Sequence, residues 1–158
     1  AGPTRKKGRE PLMNQNEKRV LVLCTGNSCR SQMAEVLLNA DLAGRVRAVS
    51  AGTRPQPGVA AGALEALRLA GLPVEGLHPK DVESMAGEVF DLVVTVCDHA
   101  REACPVFPGA RHLHVGFHDP HGEPLASFVA VRDEIRARLV PEVAQALGVA
   151  LDAPAQGE

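Results

Sequence analysis

Cys24 and Arg30 lie six positions apart in the stretch Cys24-Thr25-Gly26-Asn27-Ser28-Cys29-Arg30-Ser31. Their side chains suit covalent chemistry on an oxyanion. A thiolate is a strong nucleophile. A guanidinium is a planar fork that matches two oxygens of a tetrahedral anion. Ser31 can donate to the Cys24 sulfur, steadying it as nucleophile or leaving group. Gly26 lets the backbone approach the anion closely. The reading is a thiolate nucleophile at Cys24, a clamp at Arg30, and a cradle made by Thr25, Gly26, Asn27, Ser28, Cys29 and Arg30.

Such a stretch needs a rigid element on each side. Before it runs Val20-Leu21-Val22-Leu23, short and apolar, which reads as a buried parallel strand over 19–23. After it the spacing predicts a helix over 32–43, with Ser31 as N-cap and Met33, Val36, Leu37 and Ala40 on the apolar face. The first-turn N–H groups of that helix lack intrahelical partners and point into the loop, where the helix dipole adds positive charge.

The rest of the chain alternates in the same way. Strands are expected over 46–50, 90–96 and 111–115. A helix is expected over 59–70, with Leu64 and Leu67 inside and Gly71 as terminator, and a short one over 81–87. A last helix starts near Ser127 and turns Phe128, Val131, Ile135 and Leu139 to the core. Pro141 lacks an N–H and would clash with the Ala137 carbonyl, so a kink or break is expected there. The pattern predicts a single α/β domain: a four-stranded parallel sheet with helices on both faces. Ligands of such sheets bind at the carboxyl ends of strands, and both Cys24 and Cys97 follow such an end.

Composition narrows the function. No apolar run among the 158 residues approaches the ~20 of a membrane span. A formal net charge of −2, with no Trp and no Tyr, gives nucleic acid neither a field nor stacking platforms. Residues 1–12 carry Arg5, Lys6, Lys7 and Arg9 against Glu10 and read as a disordered tail or cloning remnant ahead of a domain over 13–158. The end of the chain, over 152–158, reads as frayed. With no secretion signal, a cytoplasmic monomer is expected, and the four cysteines are then catalytic or metal-binding rather than structural.

Cys97 and Cys104 are separated by six residues, Asp98 to Ala103. A turn and a half of helix would carry them apart, so bonding them requires rearrangement. The alternatives are a redox relay, two small buried hydrophobes, or a zinc site from all four thiols, for which the spacings are wide. Asp119, in a His-Asp-Pro turn, is either a general acid or an Asx-turn residue. His112, His114, His118 and His121 cluster in sequence and read as hydrogen-bonded or solvated histidines rather than metal ligands.

The stretch CTGNSCRSQMAE resembles the signature of the thioredoxin-coupled arsenate reductases, which share the low-molecular-weight tyrosine phosphatase fold. The similarity runs from Lys18 to Leu147 and takes in Ser50-Ala51-Gly52, Val93-Val94-Thr95-Val96-Cys97, Cys104-Pro105, Gly116-Phe117-His118-Asp119-Pro120 and Val131-Arg132-Asp133-Glu134-Ile135. The resemblance implies reduction of arsenate to arsenite. Cys24 attacks, Arg30 holds the oxyanion, Ser31 supports the sulfur, and Asp119 protonates the departing oxygen. Cys97 and then Cys104 resolve the adduct, and thioredoxin is the reductant. No organic cofactor takes part, and Cys29 has no required step. Members of that family can hold a potassium ion beside the loop; the matching positions are Asn27, Glu35, Ser50 and Asp81. The phosphatases share the loop and the Asp-Pro but do not typically carry the Cys97/Cys104 pair. Val115 stands where the family often has Trp, which changes the packing of the acid loop and no chemical group. Competing readings are a phosphotyrosine phosphatase, a reductase using mycothiol or glutathione, and a regulatory oxyanion-binding module.

Overall fold

The computed structural model describes residues 17–151. The tail expected over 1–12 and the frayed end over 152–158 lie outside the described residues. The strands are β1 (Lys18–Cys24), β2 (Val46–Gly52), β3 (Leu92–Thr95) and β4 (Arg111–His114), all parallel, in the order β2-β1-β3-β4. The helices are α1 (Arg30–Asp41), α2 (Ala61–Leu69), α3 (Asp98–Ala103), α4 (Leu125–Glu134) and α5 (Val140–Leu147). A 3-10 turn spans Val82–Met85.

The apolar run of β1 is buried throughout, as is β3. Strands that hide every side chain, not alternate ones, are covered by helices on both faces of the sheet. The edge strands differ: β2 alternates buried and exposed residues at its start, and β4 is largely open. The chain leaves β1 toward β2 and returns to the other side of β1 for β3. That reversal opens a crevice at the carboxyl ends of β1 and β3. Cys24 ends β1, and Cys97 follows β3.

Three expectations change. Ser31 lies inside the first turn of α1; the N-cap is Cys29, which makes no side-chain capping bond. In α2 the buried face is Ala63, Ala66 and Leu67, while Leu64 is only half-buried. The cause is the packing of α2 on α4: a Cβ at Gly62 would sit 2.5 Å from the Phe128 ring. Only small residues fit against that ring. Finally, the chain does not break at Pro141. Ile135–Leu139 form a π-helical turn between α4 and α5, and the backbone stays right-handed helical at Glu134, Ile135, Leu139 and Val140. Widening the turn places Pro141 in the first turn of α5, where its missing N–H costs nothing.

Candidate active site

The loop after Cys24 is held by its neighbours through its carbonyls. Backbone N–H groups of Thr53, Arg54, Gln56 and Ala60 donate to the carbonyl oxygens of Cys24, Thr25, Gly26 and Ser28, at 3.3, 2.8, 2.9 and 2.8 Å. In a planar trans peptide the C=O and the following N–H point opposite ways. Carbonyls drawn outward therefore leave amides turned toward the loop's hollow. Gly52 makes this approach possible: a Cβ there would lie 2.5 Å from the Thr25 carbonyl oxygen. Asn27 takes a left-handed φ of 49°, which Asn tolerates better than most residues.

The Asn27 side chain faces inward instead of toward an anion. Its Nδ2 donates to Ser31 Oγ at 2.7 Å, and its Oδ1 accepts from the Lys80 N–H at 2.8 Å. Since Asn27 fills an acceptor site on Ser31, the Ser31 hydroxyl proton is free for Cys24 Sγ, 2.8 Å away. Cys24, Asn27 and Ser31 are all buried. The uncapped start of α1 completes the cradle.

Above the loop lies a cavity of about 240 Å³, floored by Cys24, Thr25, Gly26, Ser28, Cys29 and Arg30 and rimmed by Gln56, Asp119 and His121. No Phe, Tyr or Trp side chain lines it. Arg30 donates from Nη1 to the Phe117 carbonyl at 3.2 Å, and its Nη2 stands 3.4 Å from Asp119 Oδ2. The loop after β4 thus carries Asp119 to Arg30. The His121 N–H donates to Asp119 Oδ1 at 3.1 Å, so this residue combines the Asx-turn role with a place at the cavity. Cys29 is pushed up to about 12 by burial, with Asp119 and Cys24 adding and Arg30 opposing. At neutral pH it is a thiol, unsuited to attack.

Cys97 caps α3. Its sulfur accepts from the Ala100 N–H at 3.4 Å and lies 3.3 Å from Thr25 Oγ1, on the residue after Cys24. Cys104 caps the other end of α3 and gives its S–H to the Pro105 carbonyl at 3.2 Å; burial raises its pKa. At 1.5 Å per helical residue, the two Cα atoms are roughly 10 Å apart, beyond the ~7 Å limit for a disulfide. The four cysteines are free.

The low molecular weight phosphotyrosine protein phosphatase model matches residues 19–149. The chain belongs to that family. An arsenate reductase of Brevibacillus brevis is 39% identical over 126 residues, covering 79% of this chain and 93% of the relative. Among solved structures, an arsenate reductase from Archaeoglobus fulgidus aligns with TM-score 0.68 at 32% identity, covering 79% of this chain and 98% of that one. A low molecular weight protein tyrosine phosphatase from T. tengcongensis aligns with TM-score 0.69 at 28% identity, covering 82% and 99%. The phosphatase-like fold is thus common to relatives with two different reactions.

Within this low molecular weight phosphatase fold, the remaining candidates scatter. His114 bridges Thr95 Oγ1 (2.8 Å) and Asp98 Oδ1 (3.0 Å), while His118 turns to Glu123 Oε2 (2.8 Å). Among the described residues no three His, Cys, Asp or Glu side chains are grouped to hold a metal ion. Three of the four positions matched to potassium already meet a donor or a cation of the protein. Asn27 Oδ1 is taken by the Lys80 N–H, Asp81 Oδ1 accepts from the Glu83 N–H at 2.9 Å, and Glu35 faces an ammonium. Sequence reasoning missed Lys80, Gln56, and the contact of Thr25 with Cys97. The only sequence signal for the last was that both residues follow strand ends.

Proposed function

We propose that this chain is an arsenate reductase working by a three-thiol relay. The reading is carried by one observation: the Cys97 sulfur hydrogen-bonds at the nucleophile loop, through Thr25, while Cys104 waits at the far end of the same short helix. A phosphatase has no use for that pair.

In the proposed cycle arsenate sits over the loop, its oxygens on Arg30 and the cradle amides. The Cys24 thiolate forms a bond to arsenic, and one oxygen departs as water with the proton of Asp119. Cys97, as thiolate, attacks the Cys24 sulfur. The sulfur–arsenic bond breaks, its electron pair stays on arsenic, and arsenite leaves. Two thiols have then supplied the two electrons, and a Cys24–Cys97 disulfide remains. Cys104 attacks Cys97 and releases Cys24 as thiolate. The Cys97–Cys104 disulfide is returned to two thiols by a dithiol reductant, which we take to be thioredoxin, acting on the monomer. Helix α3 must unwind for the last internal step.

The same cavity, clamp and acid suit hydrolysis of a phosphate monoester, and the T. tengcongensis phosphatase shares the fold. The rim carries no aromatic wall for a phosphotyrosine ring. Counting free thiols before and after arsenate, with no external reductant, separates the two. The reductase falls from four thiols to two, releases one arsenite, and yields a Cys97–Cys104 link by mass spectrometry. Four surviving thiols together with rapid phosphate-ester hydrolysis would replace the reductase by the phosphatase. A need for a small thiol such as mycothiol or glutathione before any arsenite appears would replace the internal relay.

A further inference from the structure

Beneath the nucleophile loop, a positive charge belonging to the protein occupies the place beside Glu35. Lys80 Nζ stands 3.7 Å from Glu35 Oε1 and donates to the His78 carbonyl at 2.9 Å. Both side chains are 17% exposed, so the charges are only partly screened by solvent. Glu35 Oε1 also accepts from the Ser50 N–H at 2.8 Å and Ser50 Oγ at 2.7 Å. A carboxylate with two donors and an ammonium is balanced in charge. A further monovalent cation would meet like-charge repulsion, and a Glu35 oxygen already shared by two hydrogen bonds and the ammonium.

We propose that Lys80 is a tethered cation that replaces an alkali ion under the loop and makes its geometry independent of potassium. The connection to the nucleophile is continuous. The Lys80 N–H holds Asn27 Oδ1, Asn27 Nδ2 holds Ser31 Oγ, and Ser31 Oγ meets Cys24 Sγ. Gln32 ties in from the side: its Nε2 donates to the Asn27 carbonyl at 2.9 Å and to the His78 carbonyl at 2.8 Å, the oxygen that the ammonium also uses. Anchoring Lys80 therefore anchors the left-handed Asn27. Lys80 is a positioning residue, whichever reaction the loop catalyses. Without the ammonium, Glu35 becomes an unpaired, largely buried carboxylate. A monovalent cation from solvent is then the charge that can pair with it.

The test compares wild type, Lys80→Met, Lys80→Arg and the double variant Lys80→Met/Glu35→Gln. All are measured in sodium, potassium and tetramethylammonium chloride at one ionic strength. Two readouts need no substrate: the thermal midpoint, and the rate of Cys24 alkylation by iodoacetamide followed on its peptide. Wild type and Lys80→Arg are expected to give the same values in all three salts. Lys80→Met should alkylate at Cys24 about tenfold more slowly in tetramethylammonium. Potassium should restore that rate to within about twofold of wild type and raise the midpoint of this variant alone. If the single variant is too unstable to purify, the double variant carries the test, since removing both charges should restore folding and leave no response to potassium. A several-fold potassium response of the wild type would overturn the proposal. So would a Lys80→Met protein indifferent to the choice of salt, or a double variant that still responds to potassium.

Discussion

The loop at 24–31 and the segment at 97–104 meet at Thr25 and Cys97, yet they are built in opposite ways. The loop is over-determined. Four carbonyls are held by one neighbouring segment, Asn27 by Lys80 from 53 positions away, and Gly52 lies under Thr25 with no room for a methyl group. The second segment is a six-residue helix with exposed Asp98, His99, Arg101, Glu102 and Ala103, and Ala100 alone of its residues buried. The difference teaches where each kind of chemistry can live. Stabilising a charged oxyanion needs dipoles fixed before the substrate arrives. Passing a disulfide along a helix needs a segment whose helical state is cheap to lose.

The sharpest break of that contrast is a pair of variants. Cys24→Ser should lower both arsenate reduction and any phosphate-ester hydrolysis about a thousandfold or more. Cys104→Ser should leave one turnover of arsenate intact, then stall as a Cys24–Cys97 disulfide, with ester hydrolysis unchanged. Single-turnover arsenite release with peptide mapping reads both. Continued turnover of Cys104→Ser on thioredoxin would remove the relay.

Next in size is Gly52→Ala. A Cβ 2.5 Å from a backbone oxygen cannot be absorbed by rotating a side chain, so the loop must shift. A stability loss of about 1–3 kcal/mol is expected in denaturant titration, together with a loss of oxyanion affinity. An alanine at a solvent-facing position of α3, such as Glu102→Ala, should cost within about 0.5 kcal/mol.

Thr25→Val acts where the two regions touch. It keeps the shape and removes the hydroxyl 3.3 Å from the Cys97 sulfur. The step in which Cys97 attacks Cys24 should slow about tenfold while the first attack on arsenic does not. Rapid-quench measurement of adduct and arsenite separates the steps, and equal slowing of both would assign Thr25 to the cradle alone.

The smallest effect is one of pH on stability. The pKa of Cys29 is raised in the folded protein to about 12, chiefly by burial. The unfolded chain releases that proton at lower pH than the folded one. The resulting contribution is fully present below pH 9 and is lost as pH rises toward 12. Cys29→Ser should flatten that alkaline fall, measured as urea midpoints from pH 8 to 10.5. A variant with the same slope as wild type would assign the fall to other groups.

The loop was readable because its chemistry is local. A thiol, a glycine, a guanidinium and a hydroxyl sit within eight residues, between an apolar strand and a helical repeat. The order of strands and helices was readable for the same reason, since periodicity is carried by near neighbours. The departures lie where the geometry of the folded loop or helix outweighs a rule of residue type or spacing. Ser31 suits an N-cap by type, but the reversal at Asn27 draws its hydroxyl to Cys24. Leu64 suits a buried face by spacing, but Phe128 fills the space beside Gly62 and favours the alanines. Pro141 suits a kink or break, and the helix avoids the break because a π turn sets the proline in a first turn.

The amino-acid order alone therefore settled the class of fold and set a thiol, a glycine and a guanidinium side by side at the end of a strand, because covalent neighbours bring those groups together at no further entropic cost. Folding was needed to decide which thiol stands at the loop, where the acid rests, and which cation lies beside Glu35. Those contacts join positions 45 to 89 residues apart, and only packing of the sheet and helices holds such groups within hydrogen-bonding or ion-pairing distance.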